Sequence, residues 1–384
     1  MSTNRICIVA AKRTPQGRFL GALSKYSALQ LGTAAARAAL SEIKPEHIDL
    51  AIVGHCLPPE NNTARQIARE AGVPLTAPAH TVNMACASGM KAVMLAADAI
   101  RLGQAKVVLA GGTESMSNAP HLMDRARTGT KLGHLEIRDT LLDGLSDQLL
   151  NEAMGITAER LADQYSVTRR EQDEFAYRSH MKAVAAQDAG VFTNELIALP
   201  ELATDEQPRR DSTVEKLGTL KPAFKPDGTV TPGNASSIND GAAMLVLCSE
   251  ETAARHGWKP LAYLKAHAQV GCDPRIMGIG PVPATEKLCA QSGLGLKDFD
   301  TIEINEAFAA QALSCARGLK LAADDSRFNK HGSGISLGHP IGATGARLLV
   351  HLAHLTARGE SKQSLATLCV GGGQGVAAAL AALD

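Results

Sequence analysis

Aromatic residues are nearly missing from this chain of 384 residues: they make up 3 % of it, with a single Trp. A core without large rings is filled by small aliphatic side chains, and the abundance of Ala and Gly suits helices packed closely on sheets with many tight turns. Net charge is absent too, 39 basic residues balancing 39 acidic ones. That balance excludes a general electrostatic attraction to nucleic acid or to acidic membranes. No apolar run is long enough to span a bilayer. The opening Met1-Ser2-Thr3-Asn4-Arg5 leads straight into a strand with none of the marks of a signal or transit peptide, and the closing Ala381-Ala382-Leu383-Asp384 is no peroxisomal address. A cytoplasmic protein is the expectation. The eight cysteines are scattered, with no Cys-x-x-Cys and no His–Cys metal spacing, so reduced thiols and no metal site are expected. His351 and His354 lie one helical turn apart but lack a carboxylate or cysteine partner at ligand spacing; they read as residues of a surface helix.

What the chain does have is alternation. From residue 5 to 117, apolar runs short enough for buried strands (Arg5 to Ala11, Asp49 to Gly54, Lys106 to Ala110) alternate with helical stretches (Ser27 to Leu40, Thr63 to Ala71). A loop of Pro58, Pro59, Asn61 and Asn62 separates two of them, and Gly111-Gly112 closes the third strand. This predicts a mostly parallel sheet with helices on its faces. Between about Ser117 and Asn234 charge density rises and the strand signal fades. Helical stretches there, Thr157 to Gln164 and Arg169 to Gln187, alternate with loops, and Thr168 to Glu171 has the form of a capping box. The region reads as an inserted subdomain that covers something. Strand character returns from Asp240 to Ser249.

The last third repeats the first. Ile48 to Val53 resembles Phe299 to Ile304, and Cys86-Ala87-Ser88-Gly89 resembles Gly342-Ala343-Thr344-Gly345. The strand ending Gly111-Gly112 resembles the one ending Gly371-Gly372. Position 49 matches 300, 89 matches 345 and 111 matches 371, a slowly drifting offset that small insertions produce. A duplicated α/β unit follows, and a site between two such halves would draw residues from both. The predicted units are 1–117 with 238–260, the insertion 118–237, and 261–384.

One stretch organises the candidate chemistry. Thr81 to Met90 runs from an extended segment through Cys86 into a helix with apolar positions Met90, Val93, Met94 and Ala97. A cysteine at such a turn points its sulfur at a helix N-terminus, whose partial positive charge favours thiolate. The neighbours Ala85, Ala87, Ser88 and Gly89 leave room for a substrate. Three further stretches stand out: Asn305-Glu306-Ala307-Phe308-Ala309 after an apolar strand, Gly332 to Gly345 with Gly338-His339-Pro340 inside it, and Leu365 to Gly375, where Cys369 ends a strand before three glycines. Taken singly, each residue has an ordinary structural role. Cys86 and Cys369 could be buried thiols, His339 a helix cap, Asn305 part of a turn, and the glycines devices for turning.

Together these stretches resemble the thiolases, the family of 3-ketoacyl-CoA thiolase and acetyl-CoA acetyltransferase. The likeness spans the whole chain and includes Arg13-Thr14-Pro15, Gly111 to Ser117, Met154 to Glu159 and Gly233-Asn234-Ala235-Ser236. It implies a five-layered αβαβα fold of two similar halves, a homodimer or homotetramer, and CoA as co-substrate with no tightly bound cofactor. Thiolysis of a 3-ketoacyl-CoA, and its Claisen reverse, need a nucleophile that both attacks and leaves a thioester, a role for Cys86 with His339 as its base. By resemblance, Cys369 is the acid/base at the α-carbon, and His339 with a water held by Asn305 meets the enolate oxygen. The backbone N–H groups of Cys86 and Gly371 meet the tetrahedral oxyanion. Arg209 aligns with an adenine contact, and Met154, Leu220, Phe224, Ser236 and Phe308 with the CoA-binding wall. Ala153 stands where biosynthetic members commonly carry His, and His331 to Ser336 resembles the version found in members taking longer acyl chains. Acyl length therefore stays open.

Two other classes compete. Gly334-Ile335-Ser336-Leu337-Gly338 matches a hydrolase nucleophile elbow, but Asn329 to Gly332 before it is not strand-like. A non-catalytic CoA-binding module would use the glycine-rich loops without forming a covalent adduct.

Overall fold

A computed structural model describes residues 5–58 and 61–383; Met1 to Asn4, Pro59 with Glu60, and Asp384 lie outside it. The strands that matter are β1 (Ile6–Arg13), β2 (Leu50–Gly54), β3 (Ala79–Val82), β4 (Val107–Ser115), β5 (Asn239–Ser249), β6 (Ala262–Gly271), β7 (Thr301–Ile304), β8 (Gln363–Val370) and β9 (Gln374–Ala381). Among the helices are α1 (Ala28–Ala39), α2 (Thr63–Glu70), α3 (Ser88–Arg101), α4 (Met154–Gln164), α5 (Arg169–Asp188), α6 (Pro281–Ser292), α7 (Ala309–Gly318) and α8 (Ile341–Ala357).

The repeat is visible in the pairing. The first half runs β3-β2-β4-β5-β1 and the second β7-β8-β9-β6. A single parallel bridge from Ile302 to Phe328 stands beside β7 where the first half has β3. In each half the strands after helical crossovers are parallel: β2 with β3 and β4, and β7 with β8. The inner strands β4, β5 and β1, and β8, β9 and β6, are antiparallel. A mostly parallel sheet is thus half right. β9 follows β8 by a tight turn, which only an antiparallel pair allows, and β5 enters after the insertion from the opposite end. The two half-sheets join through three antiparallel pairs, Ile6–Leu264, Cys7–Tyr263 and Ile8–Ala262.

Five layers follow from where the apolar faces go. Leu31, Ala35 and Ala36 of α1 and Ile67 of α2 cover one side of the first half-sheet. Ala284 and Leu288 of α6 and Ala312 and Leu313 of α7 cover the far side of the second. Between the half-sheets lie α3 and α8, with Val93, Met94, Ala97, Leu348, Leu349 and Leu352 in one cluster with both. Small side chains let these layers close without large rings. Every residue of α8 from Ile341 to Thr356 is buried, as expected of a helix enclosed on all sides. His351 and His354 are therefore interior residues, not surface ones. His351 Nδ1 lies 2.8 Å from Glu195 Oε2 and its Nε2 3.0 Å from His331, while His354 Nε2 bonds the Ala11 carbonyl at 2.8 Å. Their buried ring nitrogens are satisfied by partners that only the fold supplies.

The Thr168 capping box forms, with Thr168 N–H donating to Glu171 at 2.8 Å. One strand end differs from expectation. Gly111-Gly112 does not close β4, which continues through them to Ser115. The glycines serve close approach instead: a Cβ on Gly111 would lie 2.1 Å from the Ala243 carbonyl oxygen and one on Gly112 2.0 Å from that of Gly342.

Candidate active site

The N-termini of α3 and α8 touch. A Cβ on Gly89 would sit 2.8 Å from the Gly342 carbonyl oxygen, and one on Gly345 2.7 Å from Met90 N. Only glycine permits that approach, and it brings together the two residues that precede the helices, Cys86 and His339. Cys86 lies on a strained turn in which Ala85 has φ +43°, a left-handed conformation that costs a residue with a Cβ about 1 kcal/mol or more. Ser88 holds that turn. Its hydroxyl donates to Ala85 O at 2.7 Å and accepts from Met84 N at 2.9 Å. On the other side Gly338 has φ +102°, and Asn239 Oδ1 accepts the His339 N–H at 3.0 Å.

Cys86, His339 and Gly371 line one cavity of about 270 Å³ with a mainly apolar wall. Met154, Phe224, Ser236 and Phe308 line it as well. Three of these wall residues, Met154, Phe224 and Ser236, come from the segment 118–237. Leu220 is half-buried behind it, packed in the cluster that holds Phe224 and Phe308. Arg209 is exposed and is not among the cavity's residues; its backbone N–H donates to His180 Nδ1 at 3.3 Å. Cys369 is fully buried at the end of β8; burial pushes its thiol well above the ordinary range, and nearby Cys86 adds to the rise. Asn305 is fully buried, its Nδ2 3.5 Å from His339 Nδ1 and its Oδ1 without a hydrogen-bond partner among the described residues.

Burial sets the protonation of this group. It pushes the Cys86 thiol up to about 11, against the backbone N–H groups of Gly371 and Cys86 that point at the sulfur and favour the thiolate; Glu114 adds to the rise. Desolvation thus outweighs the helix-terminus effect expected at this turn. Burial, with the charge of Arg347, also pushes His339 down to about 4. At rest a neutral thiol and a neutral imidazole share the cavity, and His339 Nε2 is buried with no partner among the described residues.

Two acidic residues were not singled out from the sequence. Glu114 is fully buried and accepts from Cys56 N at 3.1 Å, Leu57 N at 3.2 Å and Gly342 N at 3.0 Å, with His55 Nε2 at 3.1 Å. It ties the loop after β2 to the start of α8. Its only sequence signal is a charge at the end of an apolar strand, where burial demands partners. Asp147 accepts the Gly372 N–H at 3.1 Å and so anchors the glycine turn to the insertion. Ser336 is no nucleophile elbow. It lies buried in the short helix Gly334–Leu337, bonded to Ser179 at 2.7 Å, and is absent from the cavity wall. No group of three or more potential metal ligands occurs among the described residues.

Residues 6–251 match the model for the thiolase N-terminal domain and residues 258–382 that for the thiolase C-terminal domain. The chain belongs to the thiolase family. It is 48 % identical to an acetyl-CoA acetyltransferase of Pseudomonas aeruginosa over 98 % of this chain and 99 % of that one. The structure of human mitochondrial 3-ketoacyl-CoA thiolase in complex with CoA superposes with a TM-score of 0.97 at 41 % identity, covering 99 % of this chain and 98 % of that one. That of the Bacillus anthracis acetyl-CoA acetyltransferase does so with 0.96 at 45 %, covering 99 % of both. As a thiolase the protein is an acyltransferase acting on CoA thioesters, and the hydrolase and non-catalytic readings fall away.

Proposed function

We propose that Cys86 is the residue that carries the acyl group, and that each remaining step is served by a residue named above. In thiolysis, His339 Nε2 takes the Cys86 proton as the sulfur attacks the 3-keto carbon. The N–H groups of Cys86 and Gly371 hold the resulting alkoxide. Collapse breaks the bond between C2 and C3 and releases the enolate of acetyl-CoA, whose oxygen is held by His339 Nε2–H and a water on Asn305. Cys369 gives its proton to C2. A second CoA thiol then gives its proton to the Cys369 thiolate and attacks the acyl-cysteine; the bond from the acyl carbon to Cys86 breaks, acyl-CoA leaves, and the Cys86 sulfur takes its proton back from His339. Run backwards, the same steps are a Claisen condensation.

The observation that carries this reading is the shared cavity of Cys86, His339 and Gly371. For CoA itself, Met154, Phe224, Ser236 and Phe308 form the wall along which the pantetheine arm would lie, with Leu220 behind and Arg209 at the adenine end. No tightly bound cofactor or metal takes part. The protein works in the cytoplasm in fatty acid metabolism, with no nucleic-acid or membrane partner, and no helix among the described residues is long and apolar enough to cross a membrane. It assembles as a homodimer or homotetramer. The exposed Leu132, Leu135, Ile137 and Leu142 of the insertion favour assembly, since such a group gains by being covered. The functional units are 1–117 with 238–260, the insertion 118–237, and 261–384. The test is kcat/KM for thiolysis of acetoacetyl-CoA against longer 3-ketoacyl-CoAs, with Cys86→Ala as the inactive control. Activity on any of them that vanishes in Cys86→Ala supports the reading; full activity in Cys86→Ala refutes it.

A further inference from the structure

His339 can act as the base only in one of its two neutral forms. Nε2 must be bare, so the ring proton must sit on Nδ1. Nε2 has no hydrogen-bond partner among the described residues and cannot make that choice. Nδ1 lies 2.7 Å from Thr344 Oγ1. The Thr344 hydroxyl in turn donates to the Pro340 carbonyl at 2.9 Å. A hydroxyl has one proton. With that proton committed to Pro340, Oγ1 offers His339 a lone pair and accepts the Nδ1–H. Asn305 Nδ2, at 3.5 Å from the same nitrogen, is too far to compete.

The duplicated halves make the same use of this position. Ser88 matches Thr344 in the repeat: each hydroxyl donates to a carbonyl three or four residues back and lies within hydrogen-bond distance of the loop that carries the reactive group, where Ser88 accepts from Met84 N. In the first half that loop bears Cys86, in the second His339.

From this geometry we propose that Thr344 is a positioning residue that fixes the His339 tautomer, keeping Nδ1 protonated and Nε2 bare toward Cys86. The inference rests on the reading of His339 as the base. In the acylation step the Cys86 thiol proton moves to Nε2, giving an imidazolium whose Nδ1–H stays on Thr344. When the proton leaves Nε2 again, the starting tautomer is restored without a ring flip.

The variant Thr344→Val tests this with little disturbance to the fold. Pro340 O keeps its bonds from Ala343 N at 2.9 Å and Thr344 N at 3.0 Å, so the start of α8 stays satisfied and only His339 Nδ1 loses a partner. A general base is worth about 10² to 10⁴ in rate, and losing its favoured tautomer should remove about 10- to 100-fold of kcat in Thr344→Val with KM for acetoacetyl-CoA little changed. Thr344→Ser keeps the hydroxyl and should rescue activity to within about threefold. His339→Asn separates the two levels. If His339→Asn is inactive while Thr344→Val keeps wild-type kcat, this inference fails and the base reading stands. If His339→Asn is active, the base reading itself fails. Nitrogen NMR of ¹⁵N-histidine-labelled wild-type protein reads the tautomer directly, whatever the variants do. The Nδ1–H form is expected for His339, and the Nε2–H form at rest would overturn the proposal.

Discussion

Replacing Gly112 by Ala strikes the contact on which the site depends. A Cβ at that position would stand 2.0 Å from the Gly342 carbonyl oxygen and 2.9 Å from both Gly342 C and Gly89 Cα, where real Cβ contacts do not fall below 3.0 Å. All three atoms are backbone, so no side chain can swing aside. Gly112 itself is held on both edges, paired with Ala243 of β5 and Gly54 of β2. The start of α8 must therefore move, by about 1 Å, and His339 three residues before Gly342 moves with it. For the proposed base, a misplacement of about 1 Å should cost roughly 10²-fold in rate, while overpacking of this kind costs about 1–3 kcal/mol in stability. Thiolysis of acetoacetyl-CoA by steady-state kinetics, beside thermal unfolding of the same sample, measures both. The control is Gly218→Ala, where an added Cβ meets nothing within 4 Å. A Gly112→Ala protein with wild-type kcat and unchanged melting temperature would refute the claim that the close packing of β4 against the starts of α3 and α8 sets the site.

Two other outcomes follow from the same geometry. With Cys86 pushed up to about 11, its alkylation by iodoacetamide in the free enzyme should rise about tenfold per pH unit from neutral to mildly alkaline pH without a plateau; a plateau near pH 7 would mean a resting thiolate–imidazolium pair. Ser336→Ala removes only an interior hydroxyl bonded to Ser179, so kcat should hold within about twofold with a stability loss of about 1 kcal/mol; loss of acyl transfer would reinstate Ser336 as a reactive group.

Much of the candidate site was legible because its residues are tied to backbone devices that leave marks in the sequence. Gly89 and Gly345 sit at matching places in the repeat, and each is needed for helix contact. Cys86 and His339 stand just ahead of those helices, so the repeat alone hinted that both halves meet there. The repeat announced a duplicated α/β unit, whose matched central helices are α3 and α8, while the five layers were implied by the resemblance to the thiolases. Strand direction was not legible for β5. Some 120 residues separate it from β4, and nothing local says from which end it returns. The interior of α8 misled for a related reason. His351 and His354 look like surface residues at helical spacing, and the partners that let them be buried, Glu195 and the Ala11 carbonyl, come from distant parts of the chain. Gly111 and Gly112 have the look of a strand end because glycine usually marks a turn, whereas here it makes room for Ala243 and Gly342. Glu114 and Asp147 escaped notice because a single carboxylate carries no spacing signal, and only the folded chain gathers the N–H groups around them.

The most direct measurement is peptide-mapping mass spectrometry of the protein after incubation with acetyl-CoA alone. An acetyl group should appear on the peptide containing Cys86, disappear on addition of free CoA, and be absent from the peptides containing Cys369 and Ser336. Acetylation of Cys369 or Ser336 in its place, or a Cys86 that stays unmodified while thiolysis proceeds, would contradict the assignment of Cys86 as the acyl carrier.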